Sequence, residues 1–128
     1  MEKFKRWFVI PALALAVPLL LFRFVLFIGY VPTASMEPTL HKDSLIVGSR
    51  IWIELEVGDI VVFRREGKLL VKRVAAVGGD SVIHNKIELK VPDGQLYMLG
   101  DNATDSFDSR YWLNPCIPKS TVIAVICH

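Results

Sequence analysis

Three short segments of this 128-residue chain hold the side chains best suited to chemistry. The first, VPTASMEPTL at residues 31–40, sets Ser35 between Ala34 and Met36, and Pro38 stiffens the loop beyond them. A serine hydroxyl is a poor nucleophile until a neighbouring base takes its proton. No G-x-S-x-G elbow and no S-x-x-K motif surrounds it, so on this segment alone Ser35 reads as a turn serine. The second, LVKRVAAVGGD at residues 70–80, carries Lys72 and Arg73 in an otherwise apolar strand. Alternate residues share a strand face, so Lys72 points with Leu70 and Val74 while Arg73 points with Val71 and Ala75. Unless a bulge intervenes, one of the two cations must face the less polar side. A lysine among apolar groups has its ammonium destabilised and can then act as a general base near neutral pH.

The third segment, LGDNATDSFDSRYW at residues 99–112, gathers Asp101, Asn102, Asp105, Ser106, Asp108, Ser109 and Arg110. Such a loop builds Asx turns and a carboxylate–guanidinium pair. Calcium is the rival occupant, but the EF-hand pattern of a central Gly and a closing Glu is not met. Zinc fares no better. Cys116 and Cys127 lack a CxxC spacing, and the nearest histidine is the terminal His128. A disulfide between the two cysteines and a pair of small apolar core residues both remain open readings.

The elements that must position these segments follow from hydropathy. Hydrophobic residues make up 52% of the chain, and the mean hydropathy of +0.41 comes mostly from the first thirty residues. Lys3, Lys5 and Arg6 precede an uncharged apolar run from Trp7 to Phe22, and Arg23 closes it. Sixteen helical residues span about 24 Å, close to a ~30 Å hydrocarbon core once the flanking arginines snorkel. Positive charge ahead of the run predicts a cytoplasmic N-terminus and an extracytoplasmic remainder. A cleavable signal would look similar, but no Ala-x-Ala site follows the run. The expected division is a cytoplasmic 1–6, an anchor and membrane-proximal segment 7–28 whose helix ends near 22–23, and a β-rich domain 29–128.

Phe24 to Tyr30 suits a strand by its aromatic and β-branched content. From Ser44 onward SLIVGSRIWI, DIVVF, LLVKRVAAV, VIHNKIEL, QLYML and TVIAVI have strand length, separated by Glu66-Gly67, Gly78-Gly79-Asp80 and Pro92-Asp93-Gly94. The fold class expected is mainly β: a small antiparallel barrel or sandwich behind one transmembrane helix. A net charge of +2 and no basic run interleaved with aromatics after residue 6 exclude a nucleic-acid binder.

Taken together, the segments resemble the type I signal peptidases. SMEPTL (35–40) looks like that family's nucleophile box, and GDIVVF (58–63) is similar to its second box. KRVAAVGGD (72–80) resembles the box that begins with the catalytic lysine, and GDNATDSFDSRYW (100–112) resembles the final box. The resemblance implies a serine endopeptidase with Ser35 as nucleophile and Lys72 as general base. It implies an oxyanion hole from the Ser35 amide and the Thr33 hydroxyl, and Ser106 as the residue that orients the lysine. Asp108 and Arg110 match a structural ion pair, Asp101 and Asn102 support the loop, and Met36 and Pro38 lie beside the nucleophile. Neither metal nor other cofactor is implied.

The implied partners are exported preproteins cut after small residues of the Ala-x-Ala type, the lipid bilayer of the cell membrane, and the secretion machinery. An exposed apolar rim from Phe24 to Tyr30 with Trp52 is expected to meet the lipid. The chain departs from the family pattern at Ala103, where Arg is common, and at Leu113, where Gly is common, followed by Asn114-Pro115-Cys116. It also lacks the large insertion some members carry before the final box. Two alternatives stand beside this reading: a dedicated maturation peptidase for one exported substrate such as a conjugative pilin, and a tethered β module that binds without cutting.

Overall fold

A computed structural model of the protein describes residues 2–127; His128, weighed above as a zinc ligand, lies outside them. Helix α1 (Glu2–Phe24) buries none of its residues against the rest of the protein. Its 23 residues reach about 35 Å, long enough and apolar enough to cross a membrane. Pro11 and Pro18 lie inside it, each removing one backbone donor from the helical ladder. The helix runs through Arg23, slightly past the end expected from the apolar run. Val25 N–H then bonds Leu21 C=O at 2.9 Å, and strand β1 (Leu26–Tyr30) begins at once.

Eight further strands follow: β2 (Leu45–Ser49), β3 (Ile60–Arg65), β4 (Lys68–Val77), β5 (Ser81–His84), β6 (Ile87–Lys90), β7 (Gln95–Leu99), β8 (Cys116–Pro118) and β9 (Val122–Ile126). Seven form one antiparallel sheet in the order β1-β2-β9-β3-β4-β7-β8, and β5 pairs with β6 apart from it. The expected antiparallel β domain behind one long apolar helix is what the structure shows.

Strand β3 explains how so small a domain acquires a core. Its Ile60, Val61, Val62 and Phe63 are all buried, so both of its faces are covered. Val61 and Phe63 join Leu55, Val74, Met98 and Trp112 on one side. Ile60 and Val62 join Phe27, Val31, Met36 and Ile46 on the other. Truncating a buried ring such as Phe63 to alanine typically costs about 3–5 kcal/mol.

Three local expectations need correction. SLIVGSRIWI is a strand only as far as Ser49, because its next backbone and side-chain groups bond elsewhere. Arg50 sends its N–H to Val25 C=O (2.7 Å) and its Nε–H to Leu26 C=O (2.9 Å), while Ser49 Oγ donates to Ile51 C=O at 2.7 Å. VIHNKIEL is a hairpin rather than one strand, since Asn85 and Lys86 hold φ of 52° and 66°, the conformation of a tight two-residue turn. The apolar rim is also redrawn. Phe27 turns into the core and Trp52 packs partly against it, whereas Ile28, Tyr30, Ile51 and Ile53 are exposed.

Candidate active site

Ser35 lies in the turn after β1, and three features pin it. The neighbouring Met36 is buried in the core beside Val31 and Ile46. The Ser35 carbonyl accepts the Asn102 N–H at 2.9 Å, and the Ala34 carbonyl accepts Asn102 Nδ2–H at 3.0 Å. Thr39 Oγ1 donates to Asp101 Oδ2 at 2.6 Å. The loop after β7 thus grips the turn from both sides of Ser35. The Ser35 amide makes no hydrogen bond among the described residues.

Lys72 comes from β4, directly opposite Val61 of β3. It shares the face of Val74 in the core, and only 4% of it is exposed. The pairing irregularity in β4 falls later, between Val74 and Ala76, so Lys72 and Arg73 keep opposite faces. The lysine takes the buried one. Its Nζ donates to Ser35 Oγ at 2.7 Å, and Thr33 Oγ1 lies 3.2 Å from the same hydroxyl. Burial lowers the Lys72 pKa from its ordinary value; Asp108 pulls it up and Arg110 pushes it down, with Asp105 adding a smaller upward pull.

Arg73, on the opposite face, is fully engaged. It grips Asp101 through Nε (2.8 Å) and Nη2 (2.7 Å) and donates from Nη1 to the Gly58 carbonyl at 2.7 Å. A second bidentate pair lies further along the loop, Arg110 Nε and Nη2 donating to Asp108 at 2.8 and 2.7 Å. The Asp108 carboxylate is completely buried. Burial alone would raise its pKa, but donors from Arg110, the Gly100 amide and Ser106 hold it below the usual carboxylate range.

The family model described as "Signal peptidase, peptidase S26" matches residues 4–91 and 84–127. The chain belongs to the signal peptidase S26 family. It is 32% identical to "Probable signal peptidase I-1" of Synechocystis sp. (strain ATCC 27184 / PCC 6803 / Kazusa) over 86% of this chain and 74% of that protein. It is also 32% identical to "Probable signal peptidase I-2" of the same organism, over 65% of this chain and 54% of that protein. "Inactive signal peptidase IA" of Staphylococcus aureus (strain Mu50 / ATCC 700699) is 28% identical over 76% of this chain and 53% of that protein. The chain therefore spans about three quarters of the first relative and about half of the other two. The family is one of serine endopeptidases, and it includes a relative named as inactive.

Within this family member, the expected residues fall into two groups. Ser35, Lys72 and Thr33 meet directly. Asn102, Asp101, Asp108 and Arg110 form the frame around them. Ser106 bonds within the frame: its hydroxyl donates to Asp108 Oδ2 at 2.8 Å rather than bonding Lys72. Pro38, beside the turn, is exposed. Cys116 and Cys127 are both free thiols. Among the described residues no group of His, Cys, Asp and Glu is arranged to hold a metal.

Sequence reasoning missed two participants. Arg73 was placed on its face correctly but without its partner, because nothing local ties residue 73 to residue 101. Gly100 is required by close approach: a Cβ there would lie 2.0 Å from Ser106 Oγ and 2.7 Å from the Ser35 carbonyl. Only the glycine before Asp101-Asn102 signalled it.

A groove of about 390 Å³ leads away from the hydroxyl. Its walls include Val31, Ile46, Val62 and Val71, with Ser35 and Lys72 at one end. Within the sheet, β1 pairs only with β2, so the other edge of β1 is open along the groove.

Proposed function

We propose that this chain is a membrane-anchored serine endopeptidase that removes signal peptides from exported preproteins, with Ser35 as nucleophile and Lys72 as general base. The observation that carries this reading is the 2.7 Å contact between Lys72 Nζ and Ser35 Oγ at a place where burial disfavours the ammonium. The same separation serves either direction. An ammonium donates to the hydroxyl, and a neutral amine accepts the Oγ–H.

In the reaction, neutral Lys72 takes the Ser35 proton as Oγ attacks the scissile carbonyl carbon. The developing oxyanion faces the unpaired Ser35 N–H and the Thr33 hydroxyl. As the C–N bond breaks, Lys72 returns the proton to the leaving amine and an ester to Ser35 remains. Water then attacks that ester, Lys72 again takes the proton, and the freed serine regains it. Ser106, whose proton is committed to Asp108, supports the site through that carboxylate rather than by touching Lys72.

An extended peptide adding to the open edge of β1 would satisfy its backbone groups there. The shallow apolar wall beneath would admit methyl-sized side chains and crowd larger ones, which supports Ala-x-Ala specificity. Lys3, Lys5 and Arg6 support a cytoplasmic N-terminus. Ile28, Tyr30, Leu45, Val47, Ile51 and Ile53 are exposed apolar groups in the part of the domain that follows α1, and they support seating of that surface in lipid.

The test is cleavage of an Ala-x-Ala preprotein by the full chain in lipid. The wild type should cut, and Ser35→Ala and Lys72→Ala should each fall by about 1,000-fold while remaining folded. Full activity in either variant would falsify the dyad.

A further inference from the structure

A second cleft, of about 370 Å³, opens at the same two side chains. It shares Thr33, Ser35, Leu70 and Lys72 with the apolar groove and no other residue. The rest of its wall is Arg65, Glu66, Lys68, Asp105, Phe107 and Trp112, drawn from the β3–β4 turn and the loop after β7. A peptide whose scissile carbonyl sits against Ser35 Oγ must leave the site in two directions. The apolar groove is walled by β1, which starts two residues after α1 ends. Residues ahead of the cut follow an apolar segment out of the bilayer and so reach that groove first. Residues after the cut are left with the second cleft.

We propose that this second cleft binds the first residues on the carboxyl side of the cut, and that Phe107 selects an apolar or aromatic side chain there. The proposal rests on the peptidase reading above.

Phe107 is 68% exposed although Asp108 and Ser109, which follow it, are fully buried. Its exposure is therefore not slack in the loop. Ser109 N–H bonds the Met98 carbonyl at 3.0 Å, and the Ser106–Asp108 contact fixes the other side. One ring face stacks on Tyr111, with centroids 5.9 Å apart and planes 13° apart. A ring held this way offers apolar contact at little entropic cost. Trp112, the other aromatic in the wall, is buried and has Arg65 over its face at 4.2 Å. The remaining charges balance, Arg65 and Lys68 against Glu66 and Asp105, so apolar contact at Phe107 is left to discriminate.

Peptides identical up to the cut, carrying Gly or Phe at the first or the second place after it, test the proposal with the full chain in detergent. Wild type should prefer Phe over Gly by about tenfold in kcat/KM at one of those places, chiefly through KM. In Phe107→Ala that ratio should fall to near one, and Phe107→Leu should restore part of it. A merely structural role would lower both peptides together and leave the ratio intact. No preference in wild type, or an unchanged ratio in Phe107→Ala, would overturn the proposal.

A second measurement needs no turnover. A peptide bearing a benzophenone side chain just after the cut, bound to Ser35→Ala, should cross-link to residues 65–68 or 105–112. Cross-links confined to 27–31, or none, would overturn it. If wild type cuts no peptide, the peptidase reading fails, and the cross-link map still decides what the cleft holds.

Discussion

The two faces of β4 treat neighbouring cations in opposite ways. On one face Arg73 reaches two carboxylate oxygens and a carbonyl. On the other, Lys72 is buried against apolar side chains, and its one hydrogen bond among the described residues goes to a neutral hydroxyl. The two carboxylates of the frame around the site are each committed to an arginine, and Asp105 exerts the smallest of the charge effects on the lysine. Asp101 is held by Arg73, and Asp108 by Arg110. The lysine's ammonium is thus disfavoured first by burial and is left without a directly bonded carboxylate.

The comparison breaks most sharply at Lys72 itself. Lys72→Met should lower cleavage by about 1,000-fold while raising stability by roughly 1 kcal/mol near neutral pH, because a buried cation is replaced by an apolar chain. The sign follows from the lowered pKa. The unfolded chain binds a proton that the folded one resists, so wild-type stability rises with pH between the folded value and the ordinary ~10.4. Thermal unfolding of both proteins at pH 7 and pH 10 should therefore show the gap narrowing on the alkaline side.

Next come the two carboxylates. Asp108→Ala should cost about 3 kcal/mol, since Arg110, Ser106 and the Gly100 amide all lose their acceptor in a buried place. Asp101→Ala should cost nearer ~1 kcal/mol, because the Arg73 pair is partly solvated. Denaturant titration of the two variants compares them directly; equal costs would contradict the distinction. The Asp108 contribution, coming from a depressed pKa, is present above the ordinary ~3.9 and is lost as pH falls through the folded value.

Smaller still is the grip on Ser35. Asn102→Ala removes the donor to the Ala34 carbonyl and should lower kcat about tenfold with KM little changed, as expected when the nucleophile loses its alignment. The finest effect is electrostatic. Arg110→Met removes a cation that depresses the Lys72 pKa and frees Asp108 to raise it. The alkaline rise of the pH–rate profile should then move to higher pH, and a move to lower pH would contradict the geometry.

Much of this was legible in the chain. The charged start and the apolar run marked α1, and alternation placed Lys72 and Arg73 on opposite faces of β4. The four boxes in order pointed to the family. Less legible were elements whose cause is not local. Strand β8 has three residues and exists because Tyr97 offers a pairing partner to Cys116. The end of β2 depends on Arg50 bonding back to residues 25 and 26.

Hydropathy, residue spacing and turn chemistry act over a few residues, so the sequence by itself determined the long apolar helix and the strand-rich class, while Ser35 and Lys72 were singled out together by the resemblance of their segments to one family. Which cation turns inward was beyond it, as were the partner of Asp101, the acceptor of the Ser106 proton and the two clefts meeting at Ser35. Those depend on contacts between residues 35, 72 and 101–110, which only the folded sheet and its loops bring within hydrogen-bonding distance.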